Sequence, residues 1–296
     1  MKRLIVNADD FGLAPSVNRA VLVAHREGIL TSTSLLANGP AFDEAIASSR
    51  QVPQLSVGVH LNISEGRPVS PCLSIPTLVN GRGELHLRPL RLWISLLMGE
   101  IRLEHIHTEW RAQILKVFDA GVTPTHLDAH LHVHVLPQLS PILIALAREF
   151  CIRSVRSPAE DLEATLPSLW KIEGASMAAV KRSAIACGVS SLARRLREQS
   201  RAAGLFCPSV FLGLVHTGFL NARTLNALLA LVPDGSTELM CHPGYASPQL
   251  EALGGELTRQ RQAEVLALIA PEVKEIVRRL GIRLTNFRDL EDGRTG

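Results

Sequence analysis

The chain has 296 residues, 46% of them hydrophobic and 20% charged, and a net charge of +3. That length suits one α/β barrel or two smaller domains, the composition excludes a long disordered tail, and so small a charge excludes a nucleic-acid partner. Arg194, Arg195 and Arg197 read as one solvated helix face. Cys72, Cys151, Cys187, Cys207 and Cys241 are odd in number and lack a C-x-x-C pair, which gives neither a disulfide framework nor a zinc knuckle. Cys241, beside His242, reads as a small buried residue at a strand end rather than as a nucleophile. Only Leu4-Ile5-Val6 separate Lys2 and Arg3 from polar Asn7, too few for a secretory core, and no apolar run could span a bilayer. The expected location is the cytoplasm, with room for peripheral membrane contact.

Residues 3–7 form a short β run that stops in Ala8-Asp9-Asp10-Phe11-Gly12. Ligands of α/β folds gather beyond the carboxyl ends of strands, where these two aspartates stand. Adjacent aspartates also cap helices, but Ser16 is the nearer cap for the helix that Val17, Ala20, Val21 and Ala24 mark over residues 16–27, before Gly28. A strand over 30–37, a helix over 42–49 and a strand over 55–62 follow, the last with Val57, Val59 and Leu61 on one face and His60 on the other. Between residues 64 and 88, Gly, Pro and Ser dissolve the pattern into a long loop over the site. Leu90, Trp93, Leu96 and Leu97 stripe a helix over 89–103, which packing explains better than contact with lipid or a greasy substrate. Residues 110–118 are helical.

The next stretch, Thr125-His126-Leu127-Asp128-Ala129-His130-Leu131-His132-Val133-His134, holds four of the eleven histidines. In an extended chain His126, Asp128 and His130 share one face, with Leu127, Ala129 and Leu131 on the other. Histidines at spacing two with an acid among them point to a metal or proton-transfer site rather than a half-exposed strand. A helix over 136–150, started by Pro137, puts His132 and His134 in the strand-to-helix turn. A strand over 152–156 ends at Arg156, a cation for the same mouth. Residues 159–208 mix helix and loop without an assigned task. A strand over 211–215, a helix over 222–231 and a strand over 237–241, ending in His242-Pro243-Gly244-Tyr245, come next. Helices over 257–269 and 271–280 and a strand over 283–287 complete the chain.

Such alternation predicts an α/β fold, an irregular (β/α) TIM-like barrel of parallel strands in a single domain over residues 1–296, with insertions near 63–108 and 159–208. Its mouth would gather Asp9, Asp10, His60, the histidines of residues 126–134 and His242. A carboxylate and two imidazoles suit a divalent ion with positions left open. A second carboxylate can take a proton from water, and a histidine across the site can give one to a departing amine. These are the parts of metal-assisted hydrolysis of an amide or ester.

Asn7-Ala8-Asp9-Asp10-Phe11-Gly12-Leu13, Gly58-Val59-His60, the histidine stretch and Glu238-Leu239-Met240-Cys241-His242-Pro243-Gly244 stand in an order that resembles the YdjC-like carbohydrate deacetylases. That family includes chitooligosaccharide and hopanoid-biosynthesis-associated deacetylases on a distorted (β/α) barrel. The resemblance implies removal of acetyl from an N-acetylglucosamine-type sugar, either a chitooligosaccharide or a glycolipid such as a glycosylated hopanoid, with release of acetate. It implies Asp10, His60 and His130 as ligands of one divalent metal ion, Asp9 as general base, and His242 as acid or transition-state stabiliser. His126, Asp128, His132 and His134 become supporting or substrate-facing groups, with Arg156 beside them. The resemblance favours magnesium, while the donor set also suits zinc. Ala129 stands where the family commonly has serine, and Leu131 where the chitooligosaccharide branch has histidine, departures that spare the ligands and leave the sugar open. Trp93, Trp110 and Tyr245 could stack on a sugar, although core packing suits the tryptophans better. The competing readings are a metallophosphohydrolase and a non-catalytic sugar-binding protein. The oligomeric state is open, a homodimer included.

Overall fold

A computed structural model describes residues 1–173, 176–253 and 258–291. The first half runs β1 (Lys2–Phe11), α1 (Pro15–Glu27), β2 (Ser32–Leu35), α2 (Phe42–Ser49) and β3 (Ser56–Leu61), then, after a long loop, α3 (Pro89–Leu97) and α4 (Leu103–Asp119). Next come β4 (His126–Ala129), a 3-10 turn (His130–Val135), α5 (Ser140–Glu149) and β5 (Ser154–Val155). The second half runs α6 (Leu162–Glu173), α7 (Met177–Ala202), β6 (Val210–Leu212), α8 (Ala222–Ala230), β7 (Gly235–Cys241), α9 (Pro248–Ala252), α10 (Thr258–Ile269), α11 (Pro271–Arg279), β8 (Arg283–Thr285) and α12 (Phe287–Glu291).

All these strands lie parallel in one sheet, ordered β5-β4-β3-β2-β1-β7-β6, with β8 also against β1. β7 lines one edge of β1, while β8 and β2 share the other end to end, β8 beside Arg3 and Ile5 and β2 from Asn7 onward. β5 also meets the segment that leads into β6, and Glu160, beyond β5, bridges Phe211 of β6. Val155 N–H donates to the Phe206 carbonyl (2.9 Å) and Phe206 N–H to the Arg153 carbonyl (2.7 Å), which curls the sheet into an irregular barrel. Val59, Leu61, Leu127 and Ala129 are fully buried in one apolar core with Trp110 and Ile114 of α4 and Leu143 and Leu146 of α5. Each valine, leucine or isoleucine among them contributes roughly 1.5–3 kcal/mol by leaving water. Strand alternation then assigns Gly58, His60, His126 and Asp128 to the barrel interior.

Several elements differ from the sequence reading. β1 does not stop at Asn7 but carries both aspartates. Ser16 does not cap α1; the helix opens at Pro15, whose fixed φ suits a first turn, and Ser16 Oγ instead meets Ser247 Oγ at 2.9 Å. α5 begins at Ser140 with Pro141 in its first turn, because Leu136, which precedes Pro137, is held extended. The stripe on α3 is not packed as expected: Leu92 and Ser95 are its buried residues, while Leu90, Trp93, Ile94 and Leu97 are exposed. Apolar residues ring this helix, so no single orientation buries them all. Trp110 does join the core. β8 ends at Thr285 because Phe287 already opens α12. The expected helix start at Leu257 lies outside the described residues. Among the described residues, no helix is long and apolar enough to cross a membrane.

Candidate active site

Successive residues of a regular strand face opposite ways. β1 escapes this rule because its register with β2 shifts between Ala8 and Phe11 and Asp10 adopts φ +66°, a region that aspartate tolerates better than most residues. Both carboxylates therefore reach His60 of β3, whose Nε2 lies 4.0 Å from Asp9 Oδ2 and 3.7 Å from Asp10 Oδ1. His130, one residue past β4, brings its Nδ1 to 3.1 Å from the same Asp10 Oδ1. His242 extends β7 at the level where Ala8 pairs with Cys241, which sets its Nε2 3.9 Å from Asp9 Oδ2.

Asp10, His60 and His130 each offer a ligand atom within 4.8 Å of the other two. Asp10 Oδ1 is buried and accepts no hydrogen bond, so a lone pair faces the two imidazoles unused. One carboxylate and two imidazoles converging from one side fit a single divalent ion with open positions for water and substrate.

Behind this group lies a second layer. His60 and Asp128 are direct partners in the β3–β4 register, and Nδ1 of the histidine meets Asp128 Oδ1 at 2.8 Å. Arg156, fully buried, donates to both oxygens of Asp9 (2.7 Å each) and to Glu238 Oε1 (2.7 Å), and forms an ion pair with Asp128, its Nη1 lying 2.7 Å from Oδ2. Asp9, His60 and Asp128 also satisfy the geometry of a cation site, but the Arg156 guanidinium already supplies the positive charge there. Despite the cost of burial, the arginine keeps Asp9 and Asp128 below the usual carboxylate range. It cannot do the same for a third acid, and burial pushes Glu238 up to about 7.

The histidines divide by environment. Burial holds His126, His134 and His242 down, to about 3, about 4 and about 4, so all three are neutral at pH 7. Burial would lower His130 too, but the Asp10 and Glu65 carboxylates, 3.1 and 2.6 Å from its two nitrogens, outweigh it and raise the imidazole to about 10. His126 lies beneath the site, its ring stacked on Phe287 with centroids 3.8 Å apart and its nitrogens near Ser34 Oγ (3.0 Å) and Thr125 Oγ1 (3.1 Å). His134 contacts the Arg156 carbonyl through Nε2 (3.2 Å). His132 faces Phe211 edge-on from a kinked turn in which it and Leu131 both hold positive φ. That kink overturns the expected core-facing Leu131, which is exposed. Burial raises the Cys241 thiol well above its ordinary range, which fits a packing residue.

Several contributors carry no local signal in the sequence. Ser34 Oγ donates to Asp128 Oδ2 (2.7 Å) and accepts from Asn7 Nδ2 (2.9 Å), which also donates to Asp9 Oδ1 (3.0 Å). From α10, Arg261 donates to Asp10 Oδ2 and Glu264 accepts the His242 backbone N–H. The Arg261 stem crosses Gly244, where a Cβ would stand 3.0 Å from Arg261 Cδ, so the glycine after His242-Pro243 admits the arginine. Glu65, in the loop after β3, meets His130 Nε2 at 2.6 Å.

The fold and site together define a class, a parallel (β/α) barrel with a one-carboxylate, two-imidazole centre at the carboxyl ends of its strands. The chain belongs to the YdjC-like protein family, whose model matches residues 3–279. A carbohydrate deacetylase of Brevibacillus brevis is 30% identical over 292 residues, covering 97% of this chain and 99% of its own. A chitooligosaccharide deacetylase of Serratia marcescens is 30% identical over 292 residues, with 98% and 99% covered. The crystal structure of an Enterococcus faecalis protein named for cellobiose-phosphate cleavage superposes with a TM-score of 0.79 at 28% identity, covering 98% of each chain.

Proposed function

We propose that this protein is a divalent-metal-dependent N-deacetylase that removes acetyl from an N-acetylglucosamine-type sugar, a chitooligosaccharide or a glycolipid such as a glycosylated hopanoid, and releases acetate. The observation that carries this reading is the meeting of Asp10 Oδ1, His60 Nε2 and His130 Nδ1 beside Asp9 and His242, in a chain whose relatives over nearly full length are named carbohydrate and chitooligosaccharide deacetylases. Asp10, His60 and His130 would hold the ion, with magnesium favoured by the family and zinc also suited to the donors. A bound divalent ion at this position lowers the pKa of water and polarises an acetyl carbonyl.

The remaining roles fall to the side chains. Asp9 stays ionised beside Arg156 and is ready to accept a proton from the attacking water, while the bidentate guanidinium fixes its orientation. His242, neutral at pH 7, offers an imidazole N–H across from Asp9 to the oxygen on which charge develops. The proton that Asp9 took from the water then passes to the departing amine, so that sugar amine and acetate leave and Asp9 is again a carboxylate. Asp128 holds His60 with Nε2 inward. A two-ion phosphohydrolase would need a second cation where Arg156 already sits.

The test is an acetate-release assay over N-acetylglucosamine oligomers and N-acetylated glycolipids, with and without a chelator. Chelator-sensitive acetate release supports the proposal. Ligand binding with no acetate from any substrate would leave the protein as a sugar binder.

A further inference from the structure

His60 has its outer nitrogen secured by a buried strand aspartate, whereas the outer nitrogen of His130 faces Glu65, a loop residue whose side chain is half exposed. An ordinary surface acid near a histidine contributes little, because both side chains must be ordered to meet. The backbone at Glu65 is already ordered. Asn62 Nδ2 (2.9 Å) and Asn38 Nδ2 (3.2 Å) both donate to its carbonyl, and Asn38 donates as well to the carbonyl of Arg67 (3.1 Å). Asn62 is clamped by Gln113, which accepts its N–H (2.8 Å) and donates to its carbonyl (2.6 Å). Gln113 also donates to Glu109 (2.7 Å), whose carboxylate takes the N–H groups of Val69 and Ser70 (2.9 Å each). Gln113 and Glu109 are fully buried on α4. Burying an amide and a carboxylate is costly unless every partner is in place, and here the partners are the backbone of one loop.

We propose, resting on the metal reading above, that Glu65 is a positioning residue: it accepts the Nε2 proton of His130, so that Nδ1 is the nitrogen presented, beside Asp10 Oδ1, to a cation. The loop of residues 62–70 is then part of the cation site, not a cover laid over it. His60 is held in the opposite sense, Nδ1 outward to Asp128 and Nε2 inward, so each imidazole has its own carboxylate behind it.

Zinc and magnesium titrated calorimetrically into chelator-stripped full-length protein test this, with Glu65→Ala and Glu65→Gln beside the wild type. Glu65→Ala is expected to bind about 10- to 100-fold more weakly with an unchanged melting temperature of the metal-free protein. Glu65→Gln, which keeps an acceptor oxygen, is expected to recover most of the affinity. Nitrogen-15 spectra of the zinc-loaded proteins should show His130 as the Nε2–H tautomer in the wild type and as a mixture in Glu65→Ala. Equal affinity and an unchanged tautomer in Glu65→Ala would overturn the role of Glu65 while leaving the metal reading standing. A wild type that binds neither ion would overturn the metal reading and this inference with it.

Discussion

His60 and His130 face the same cation position, and each is backed by a carboxylate, but the two pairs are built differently. His60 and Asp128 are opposite residues of adjacent strands, both almost wholly buried, and behind them Arg156 and Ser34 use the remaining oxygen of Asp128. His130 and Glu65 lie past the strand ends, one on a kinked turn and the other on a loop. The first pair is part of the barrel, so its geometry follows from strand register. The second is assembled from outside, so it can change without disturbing the fold. Damage on the strand side should therefore appear in stability, and damage on the loop side in the site alone.

The largest effect expected is that of Arg156→Met. It leaves Asp9 and Asp128 buried without their cation, which should lower stability by about 3–5 kcal/mol in urea unfolding. A loss below about 1 kcal/mol would break the comparison. Asp9→Asn keeps the shape of the strand side but removes the proton acceptor. Its kcat for acetate release should fall roughly 100- to 10,000-fold with bound metal retained, whereas His60→Ala and His130→Ala lose the metal. Full activity of Asp9→Asn would remove Asp9 as the base.

Gly58→Ala probes the strand side by volume. A Cβ there would stand 2.3 Å from the nearest atom of the His126 ring, which Phe287, Ser34 and Thr125 hold in place. A destabilisation of about 3 kcal/mol is expected from thermal or urea denaturation.

Glu264 sharpens the comparison through pH. Burial raises its carboxyl from 4.5 to about 7 in the folded protein. Its stabilising contribution is complete below pH 4.5 and is lost as pH rises through 7. Glu264→Gln stays neutral throughout, so in chelator its melting temperature should gain on the wild type between pH 4.5 and 7 and then level off. A constant difference across that window would contradict the assignment. Leu131→Gly should have the smallest effect. The leucine is exposed at φ +55°, and glycine relieves that conformation, so stability should hold or rise by about 1 kcal/mol. A greater loss from Leu131→Gly than from Gly58→Ala would reverse the argument.

The sequence disclosed the strand side well. Alternation along residues 55–62 and 125–129 assigns His60, His126 and Asp128 to one face, and acids or histidines at strand ends mark the mouth. What it hid depends on geometry without a local pattern. The shift in β1 that turns Asp9 and Asp10 to the same side cannot be told from a regular strand end, which is why β1 looked shorter than it is. Arg156 looked like a cation at the mouth, yet it lies under the floor, because three acids from distant strands surround it. Arg261 and Glu264 sit one helical turn apart on α10 and look like an ordinary charged face until the helix is docked beside His242.

β1 lies inside the sheet, with β2 and β8 sharing one edge and β7 along the other. During synthesis, then, the earliest strand must wait for some of the latest segments before its edges are filled. Asp10 meets Arg261 across 251 positions of chain, and Asp9 meets Arg156 across 147. Contacts of such long range make folding slow and keep the unfinished chain exposed to aggregation. A nascent chain shorter than about 264 residues carries the acids of this centre without the helix that secures them. The centre is thus among the last parts of the molecule to form, and catalytic competence would itself report that folding is complete.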